Sequence, residues 1–539
     1  MFGMLAAKLI QQVRAWIAAD PDPAARAELQ SLLDSGDLAA AQLADRFVAP
    51  LAFGTAGLRG PLRAGPNGMN RAVVRRVAAG LAVYLRARQA VGPVVVGYDA
   101  RHGSEDFARD SAAVFTATGR PALLLPAPLP TPVLAFAVRH LGAAAGVMVT
   151  ASHNPPTDNG YKVYLSDGGQ LAPPADRALE AAIAAIGPAA GVALDERYEV
   201  LGDDLVRTYI ARVASLLDPT SGRGLTIAYT PLHGVGGAVL SEVFQRAGFP
   251  PLHVVAEQAK PDPRFPTVAF PNPEEPGAVD LLLGLAAEDG TDLAIANDPD
   301  ADRCAAAVAG RMLRGDEIGV LLADHLLTRG SRPGSYVTTI VSSSLLAAMC
   351  ARRGVSYAET LTGFKWIVRG ADRVAYGYEE ALGYAVAPDL VRDKDGISAA
   401  LLLAEMAANL KAEGRTLLDR LDELAREYGL YATDQLSVRV ADLSLISAAM
   451  TRLRAAPPTK LLGRPISSVE DLLPGADVVR LRADGVRVVV RPSGTEPKLK
   501  AYLEVILPVR AEDLSEVRSA ADAELARLRS YVARMLGLG

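Results

Sequence analysis

The segment 147–164, VMVTASHNPPTDNGYKVY, contains the residues best suited to nucleophilic chemistry. Its apolar start predicts a strand, and the Pro-Pro pair at 155–156 excludes regular structure after it. Ser152 therefore lies on a rigid loop at a strand end, with His153 beside it and Lys162 further along. This arrangement predicts a serine nucleophile with two candidate bases. The alternative is a polar surface turn whose side chains bond only to backbone.

Aspartates at alternating positions in the segment LAIANDPDADRC (293–304) predict a metal site. They are Asp298, Asp300 and Asp302. In extended chain such side chains point the same way, and three like charges converge at a cost unless a hard cation binds them. Ligands that are all oxygen select Mg²⁺, Mn²⁺ or Ca²⁺ over zinc. An EF-hand is excluded, because Arg303 and Ala309 stand at its glycine and glutamate positions. The alternative is a solvated acidic turn.

The segment VVVRPSGTEPKLKAYLE (488–504) predicts an anion site at a turn after a strand. Its backbone N–H groups, two hydroxyls and a guanidinium suit a phosphate group. The residues concerned are Arg491, Ser493, Gly494 and Thr495. A structural turn with an exposed arginine is the alternative.

Further loops are polar where packing alone does not require it. FGTAGLRG places Arg59 on a glycine-rich loop, and GYEEALGY offers Glu379 and Glu380 as acceptors for sugar hydroxyls. LTGFKWI and RDKDGIS contribute Lys365 and Lys394 as candidate binding residues. For each of these loops, a purely structural role is the alternative.

Three segments share the elements that must position these residues: a β-branched run, a polar turn, a helix ending in glycine and another apolar run. They begin at VVVGYDAR, LTIAYTPLHG and YVTTIVSSS, and this order is typical of parallel α/β units. After about residue 435, alternating runs and a final helical stretch predict an α+β domain. The sequence thus predicts three related α/β domains plus a C-terminal α+β domain, divided at 1–215, 216–325, 326–434 and 435–539.

Composition is that of a folded protein of several domains: 539 residues, half of them hydrophobic, with a net charge of −5. A mildly acidic chain lacks the positive field that holds nucleic acid, so small anions at local basic sites are the expected ligands. The two cysteines, Cys304 and Cys350, exclude a disulfide framework. Charged residues interrupt the amphipathic N-terminal helix, and prolines break the most apolar stretch. We expect a cytoplasmic enzyme without nucleic-acid or membrane partners.

Taken together, FGTAGLRG, TASHNPPTDNGYK, DPDADR, GYEEALGY and RPSGTEPKLK occur in the order found in the α-D-phosphohexomutase superfamily, the phosphoglucomutases, phosphomannomutases and relatives. The chain resembles this superfamily over about residues 50 to 505, closest to the branch of phosphoglucomutases and phosphopentomutases. The resemblance implies four domains around a central cleft. It also implies that the protein interconverts sugar 1-phosphates and 6-phosphates.

The resemblance assigns roles motif by motif. Ser152 resembles the phosphoserine, and the three aspartates resemble the ligands that share one Mg²⁺ per chain with it. The resemblance also implies that four residues surround the transferring phosphoryl group: Arg59, His153, Lys162 and Arg303. Of these, Lys162 is favoured over His153 as the general base. For the sugar and its distal phosphate the resemblance implies Thr362, Gly363, Phe364, Glu379, Glu380, Arg491, Ser493, Gly494 and Thr495. Lys365 and Lys394, from the two further loops, are expected to bind substrate with them.

The expected reaction moves a phosphoryl group from phospho-Ser152 to a sugar hydroxyl and back through a bisphosphorylated sugar. A sugar 1,6-bisphosphate therefore serves as intermediate and activator. Glucose 1-phosphate is the leading substrate. Many phosphoglucomutases have serine where Ala381 stands, so a pentose 1-phosphate is second and mannose 1-phosphate third. The sequence leaves open whether the enzyme is a monomer or a homodimer.

Two other functions fit parts of the pattern. A haloacid-dehalogenase-like phosphatase would use Asp298 as its nucleophile, but it leaves TASHNP and RPSGT unexplained. A phosphosugar-binding protein descended from a mutase would not need Ser152, Lys162 and all three aspartates. Release of free phosphate would distinguish the first, and absence of turnover the second.

Overall fold

The computed structural model describes residues 7–54, 57–330, 332–440, 442, 444–493, 498–510 and 514–537. The chain separates into two compact units. The first unit comprises Met1–Met312 and Gly383–Ala408, and the second comprises Leu313–Leu382 and Asn409–Gly539. Among the described residues, no helix combines the length and the apolar composition needed to cross a membrane.

Three short helices open the first unit and confirm the predicted amphipathic N-terminus. They are α1 (Ala7–Ala19), α2 (Pro23–Asp34) and α3 (Ala40–Phe47). Val13, Leu29 and Leu43 are fully buried between them and form a small separate core. The polar faces of these helices remain outside that core, as expected for amphipathic segments.

The first sheet carries the TASHNP segment. Its strands are β1 (Leu58–Pro61), β2 (Val94–Tyr98), β3 (Ala122–Leu124), β4 (Ala145–Val149), β5 (Asp158–Leu165) and β6 (Glu199–Val200). Their order is β1-β5-β4-β2-β3-β6. Strand β2 is parallel to β3 and β4, whereas β5 is antiparallel to β4 and β1. The accompanying helices are α4 (Arg71–Ala87), α5 (Ser104–Ala117), α6 (Thr131–His140), α7 (Ala175–Ala184) and α8 (Asp204–Ala214).

The second sheet carries the aspartate segment and repeats this plan. It contains β7 (Ile227–Thr230), β8 (His253–Val254), β9 (Leu293–Ala296), β10 (Ala305–Val308) and β11 (Arg311–Met312), with α9 (Gly236–Arg246) and α10 (Asp280–Glu288). Strand β7 is parallel to β8 on one side and to β9 on the other, and β10 is antiparallel to β9.

The third copy of the plan lies in the second unit. Its strands are β12 (Ser335–Thr339), β13 (Tyr357–Thr360) and β14 (Val374–Glu379), with α11 (Gly315–Thr328), α12 (Leu345–Arg353), α13 (Phe364–Ile367) and α15 (Leu417–Tyr428). Strand β12 lies between β13 and β14 and is parallel to both. The intervening chain forms β15 (Gly383–Ala385) and α14 (Gly396–Ala412).

The three sheets therefore confirm the three related α/β domains predicted from the shared pattern. In each, the first strand of the pattern (β2, β7 or β12) is central, and a parallel partner flanks it on both sides. Each helix after the central strand is followed by a glycine with positive φ: Gly119 at 80°, Gly248 at 84° and Gly354 at 65°. This backbone conformation ends a helix at little cost only for glycine.

The C-terminal domain has a different plan, as predicted. Its sheet has the order β16-β21-β20-β19-β18-β17, and all of its described pairings are antiparallel. The strands are β16 (Leu430–Arg439), β17 (Lys460–Leu461), β18 (Arg464–Asp471), β19 (Val479–Ala483), β20 (Val486–Pro492) and β21 (Lys498–Leu507). Helices α16 (Ser444–Ala455) and α17 (Leu514–Met535) pack on this sheet around Leu453, Leu528 and Val532.

Candidate active site

Ser152 follows β4 on a loop whose backbone is held in an uncommon conformation. Its φ is 52°, in the left-handed region that non-glycine residues rarely adopt, and its side chain is buried. The Ser152 N–H donates to Thr150 Oγ1 at 2.8 Å, and that hydroxyl donates to Asp99 Oδ2 at 2.6 Å. Such a conformation persists only when surrounding bonds determine it, so the loop presents Ser152 in one orientation.

The three aspartates follow β9 and converge through a turn. The Ala301 N–H donates to the Asp298 carbonyl at 2.8 Å, and Ala301 has a φ of 54°. The sequence-based expectation of an extended chain is therefore wrong here, although the predicted convergence is correct. One carboxylate oxygen from each of Asp298, Asp300 and Asp302 lies within 4.8 Å of the others, and all three residues are fully buried.

This cluster fits a divalent cation with oxygen ligands. Asp300 Oδ1 and Asp302 Oδ1 are buried, and no hydrogen-bond partner lies near them in the described part of the chain. An unsatisfied buried carboxylate oxygen is costly, and three carboxylates repel one another unless positive charge lies between them. Oxygen donors of this kind suit Mg²⁺.

Other segments support the aspartate turn, and the sequence analysis did not identify them. Thr131 Oγ1, at the start of α6, donates to Asp300 Oδ2 at 2.6 Å. The Val235 N–H donates to the Pro299 carbonyl at 2.8 Å. A Cβ atom on Gly234 would lie 2.3 Å from the Pro299 Cα, so only glycine permits this approach. The HGVGG run at 233–237, which includes the start of α9, marks this glycine contact in the sequence, whereas nothing in the sequence marks Thr131.

The structure brings the predicted nucleophile, the three aspartates and Lys162 together. Ser152 Oγ donates to Asp298 Oδ2 at 2.8 Å. Lys162 lies on β5 opposite Met148 of β4, and its Nζ is 2.6 Å from Asp300 Oδ2 and 2.8 Å from Asp302 Oδ2.

Lys394, predicted as a substrate residue, lies in the same unit, and its Nζ is 3.2 Å from Asp302 Oδ2. Two ammonium groups therefore contact one carboxylate of the cluster. The sequence analysis placed Lys394 with the sugar-binding loops and gave no indication of this contact.

Burial and mutual charge determine the protonation of this cluster. Burial, with the neighbouring charges of Asp300 and Asp302, raises the pKa of Asp298 well above its ordinary value. Burial acts in the same direction on Asp300 and Asp302, but nearby ammonium groups outweigh it and lower their pKa values. Burial alone would lower the pKa of Lys162, yet the two carboxylates raise it. Lys162 is therefore a charged partner of Asp300 and Asp302 in this arrangement.

His153, Arg59 and Arg303 surround the serine, as the motifs predict. His153 Nδ1 is 3.2 Å from Ser152 Oγ, and burial, together with the charges of the two arginines, holds the pKa of His153 well below its ordinary value. Arg59 is on β1 and donates from Nη1 to Asn154 Oδ1 at 3.1 Å, in the serine loop. Arg303 donates from its N–H to Asp298 Oδ1 at 3.0 Å, and its Nη1 lies 3.2 Å from Glu274 Oε2.

The predicted sugar-binding residues lie in the second unit. Thr362, Gly363 and Lys365 are partly exposed between β13 and β14, whereas the Phe364 side chain is buried. Packing therefore explains the position of the Phe364 ring.

The two adjacent glutamates, Glu379 and Glu380, are partly exposed at the end of β14. Glu380 Oε2 accepts from Ser342 Oγ at 3.3 Å and from Thr339 Oγ1 at 3.4 Å. Hydroxyls at the end of β12 and just after it therefore contact this carboxylate.

The described residues of the predicted phosphate cradle, Arg491 and Ser493, lie at the end of β20. Arg491 faces Lys500 across the two strands, and the Ser493 N–H donates to the Lys498 carbonyl at 2.8 Å. Gly494 and Thr495, the other two predicted residues, lie outside the described residues.

Comparison with known proteins matches the chain to four family models in succession. They are phosphoglucomutase/phosphomannomutase α/β/α domain I at residues 50–189, domain II at 207–311, domain III at 314–428 and the C-terminal domain at 436–518. The order of the four matches agrees with the order of the four sheets.

Individual relatives have different names. A probable phosphomannomutase of Haemophilus influenzae is 45% identical over 453 residues, covering 81% of this chain and 93% of the relative. A Staphylococcus haemolyticus phosphoglucomutase is 35% identical, covering 85% and 91%. A probable phosphoribomutase of Schizosaccharomyces pombe is 34% identical, covering 92% and 93%.

A solved structure of a phosphoglucomutase/phosphomannomutase family protein from Burkholderia thailandensis supports the fold. It has a TM-score of 0.69 at 21% identity and covers 90% of this chain and 96% of its own. A serine nucleophile candidate beside an aspartate cluster, on this four-domain architecture, defines a phosphosugar mutase, an isomerase that acts as an intramolecular phosphotransferase. The chain belongs to the phosphoglucomutase/phosphomannomutase family.

Proposed function

We propose that the enzyme interconverts α-D-glucose 1-phosphate and glucose 6-phosphate through phospho-Ser152 and a bisphosphorylated sugar. The observation that carries the proposal is the contact of Ser152 Oγ with Asp298 Oδ2 at 2.8 Å, at the edge of the aspartate cluster. A hydroxyl and three carboxylates form the ligand set that a phosphoserine enzyme needs beside its transferring group.

The reaction has two transfers that use the same residues in opposite order. In the first, the bond from Ser152 Oγ to phosphorus breaks, a sugar hydroxyl oxygen binds that phosphorus, and the hydroxyl proton goes to a base. The bisphosphorylated sugar then reorients, Ser152 Oγ binds the phosphorus of the other phosphoryl group, and the bond from that phosphorus to the sugar oxygen breaks. The sugar oxygen takes up a proton from the base, and the proton of the Ser152 hydroxyl is released. A sugar 1,6-bisphosphate is therefore both the intermediate and the activator of an enzyme that has lost its phosphoryl group.

The residues around the serine supply positive charge and a base. Asp298, Asp300, Asp302 and Ser152 would hold one Mg²⁺ per chain, which would offset charge on the transferring phosphoryl oxygens. Arg59 and Arg303 add guanidinium charge beside the serine loop. Lys162, whose Nζ faces the cluster, is the first candidate base, and it can accept the hydroxyl proton only after losing the proton that Asp300 and Asp302 stabilise on it. His153, whose Nδ1 contacts Ser152 Oγ and whose pKa is held low, is the second candidate.

We assign sugar recognition to Glu379 and Glu380, with Thr362, Gly363, Phe364 and Lys365. The distal phosphate is assigned to Arg491 and Ser493, with Gly494 and Thr495. These roles follow the predicted domain boundaries after residues 215, 325 and 434. The four domains in chain order are assigned the serine, the metal ligands, sugar recognition and the distal phosphate. Lys394 contacts Asp302 and is assigned to the charge balance of the cluster as well as to substrate.

Glucose is proposed because the adjacent glutamates suit the hydroxyls of a hexose. Ribose 1-phosphate is the second candidate, because Ala381 replaces the serine common in phosphoglucomutases and one relative carries the name phosphoribomutase. Mannose 1-phosphate is the third, supported by the name of the Haemophilus relative.

Turnover of glucose, mannose and ribose 1-phosphates, each with Mg²⁺ and a trace of its bisphosphate, tests the proposal. We expect the highest kcat/KM for glucose 1-phosphate and no net release of inorganic phosphate. A higher value for ribose 1-phosphate would contradict the choice of sugar. Stoichiometric phosphate release would instead indicate a phosphatase that uses Asp298, and would contradict the mutase mechanism.

A further inference from the structure

Arg101 is buried beneath the Ser152 loop and bonds to four of its carbonyl oxygens. Its Nη2 donates to the Ser152 carbonyl at 2.5 Å and to the Asn154 carbonyl at 2.7 Å. Its Nη1 donates to the Pro155 carbonyl at 2.8 Å and to the Asp158 carbonyl at 3.2 Å. The residue is only 4% exposed. A single guanidinium therefore contacts the chain at four points between the nucleophile and the start of β5.

The loop needs such a partner because it has no regular structure of its own. Pro155 and Pro156 lack N–H groups and interrupt strand pairing, and the backbone bonds within the loop are short-range, such as that from the Asp158 N–H to the Pro155 carbonyl at 3.0 Å. The planar fork of arginine matches several acceptors at once, which the single ammonium of lysine does not. The left-handed φ of Ser152 is compatible with this path, since its own carbonyl is one of the four acceptors.

Arg101 is itself fixed from two sides. The Arg101 N–H donates to Asp99 Oδ1 at 3.0 Å, and the same carboxylate accepts from Thr150 in the strand that leads to Ser152. On the other side, the guanidinium carbon lies 4.9 Å from the centre of the Phe265 ring, which belongs to the segment between β8 and β9. Arg101 thus links the nucleophile loop to the domain that carries the aspartates.

We propose that Arg101 is a positioning residue for phosphoryl transfer, holding Ser152 Oγ at the orientation it needs toward the aspartate cluster. The inference rests on the proposed role of Ser152 as the phosphorylated nucleophile. Phosphoryl transfer depends on alignment of the attacking and leaving oxygens, and a displacement of about 1 Å can cost about 100-fold in rate. Arg101 lies below the loop backbone, so substrate affinity depends on it much less than the transfer rate does.

Arg223 provides a matched control in the same unit. Its guanidinium donates to the carbonyls of Ala247, Ser221, Gly222 and Asp218. It also lies 5.4 Å from the centre of the Phe249 ring. The carbonyl bonds and the ring contact are therefore of the same kind as those of Arg101, but Arg223 is partly exposed and its carbonyl partners lie outside the serine loop and the aspartate turn.

The experiment compares Arg101→Lys with Arg223→Lys in the full-length enzyme. Each protein is first charged with ³²P-labelled glucose 1,6-bisphosphate, and transfer of the label to glucose 1-phosphate is then followed in a single turnover. We expect a transfer rate about 10- to 100-fold lower for Arg101→Lys, with KM within about 2-fold of the unaltered enzyme. Arg223→Lys should transfer within about 2-fold of the unaltered rate, even if its thermal stability falls equally.

Equal transfer rates for the two variants would overturn the positioning role. The positioning role would also be overturned if the transfer rate fell in proportion to the loss of thermal stability in both variants. Absence of label on Ser152 in the unaltered enzyme is a different result, which would contradict the proposed function itself and the inference with it.

A milder pair of variants covers the case in which Arg101→Lys does not fold. Phe265→Leu removes the ring beneath Arg101 and leaves its hydrogen bonds, and Phe249→Leu does the same beneath Arg223. Both phenylalanines are buried to a similar degree, at 3% and 5% exposed. We expect Phe265→Leu to slow transfer by about 3- to 10-fold more than Phe249→Leu, since stacking of this kind contributes less than the hydrogen bonds. Equal rates would overturn the inference.

Discussion

Ser152 Oγ and Asp298 Oδ2 lie 2.8 Å apart, although 146 positions separate the two residues in the chain. Each stands just after a buried strand, β4 in the first sheet and β9 in the second. In α/β domains the loops after the strands carry the functional groups. The two related domains therefore contribute the nucleophile and the metal-binding carboxylates from equivalent places in their folds.

Replacement of Thr131 by valine should weaken metal binding without altering the ligands. The Thr131 hydroxyl donates to Asp300 Oδ2 at 2.6 Å, and groups that orient metal ligands typically contribute about 10- to 100-fold in affinity. We expect the Mg²⁺ concentration at half-maximal activity, and the Mg²⁺ dissociation constant measured by calorimetry, to rise by such a factor. Thr116→Val is the control, since that hydroxyl donates to the Ala112 carbonyl within α5, away from the aspartate cluster. Equal metal affinity in both variants would show that Asp300 does not need Thr131.

Arg491→Ala should raise KM and change kcat much less. Arg491 lies near the end of β20, opposite Lys500 of β21, and is assigned to the phosphate that is not reacting. Hydrogen bonds to charged groups contribute about 1.5–3 kcal/mol, which corresponds to about 10- to 100-fold in KM. Steady-state kinetics with glucose 1-phosphate measure this, with Arg527→Ala on α17 as an exposed control. An unchanged KM would mean that the turn has only a structural role.

A pH effect on stability is expected from Asp316, at the start of α11 in the second unit. Burial raises the pKa of Asp316 to about 7, while its Oδ1 accepts from the Ser343 N–H at 2.7 Å and from the Tyr378 hydroxyl at 3.2 Å. Because the pKa is higher in the folded state, folding favours the protonated carboxyl. The resulting stability is complete below about pH 4 and is lost as the pH rises to about 7. Its size is at most about 4 kcal/mol.

Asp316→Asn tests this directly, because the amide oxygen still accepts from Ser343 but cannot ionise. The thermal midpoint of the unaltered protein should fall between pH 5 and pH 7, and the fall should be smaller in the variant. Asp484→Asn, in the exposed β19–β20 turn, serves as control. A fall of the same size in Asp316→Asn would rule out Asp316 as its source.

Sequence reasoning brought out the candidate functional segments but not all of the contacts between them. The first strands of the three α/β domains were predictable, because β-branched runs between turns are a local signal. The aspartate cluster was also located correctly, yet its convergence depends on a turn at Ala301 rather than on strand alternation. Arg101 and Thr131 were missed, since their partners lie 51 and 169 positions away, and a single sequence does not pair such distant residues.

The central claim is that Ser152 carries the transferring phosphoryl group. The most direct measurement charges the enzyme with ³²P-labelled glucose 1,6-bisphosphate, locates the label by peptide mass spectrometry, and adds unlabelled glucose 1-phosphate. Ser166→Ala, an exposed serine after β5, is the control for Ser152→Ala. The account predicts label on the peptide containing Ser152, its return to sugar on addition of substrate, and loss of labelling and turnover only in Ser152→Ala. Label on another residue, or turnover that persists in Ser152→Ala, would contradict it.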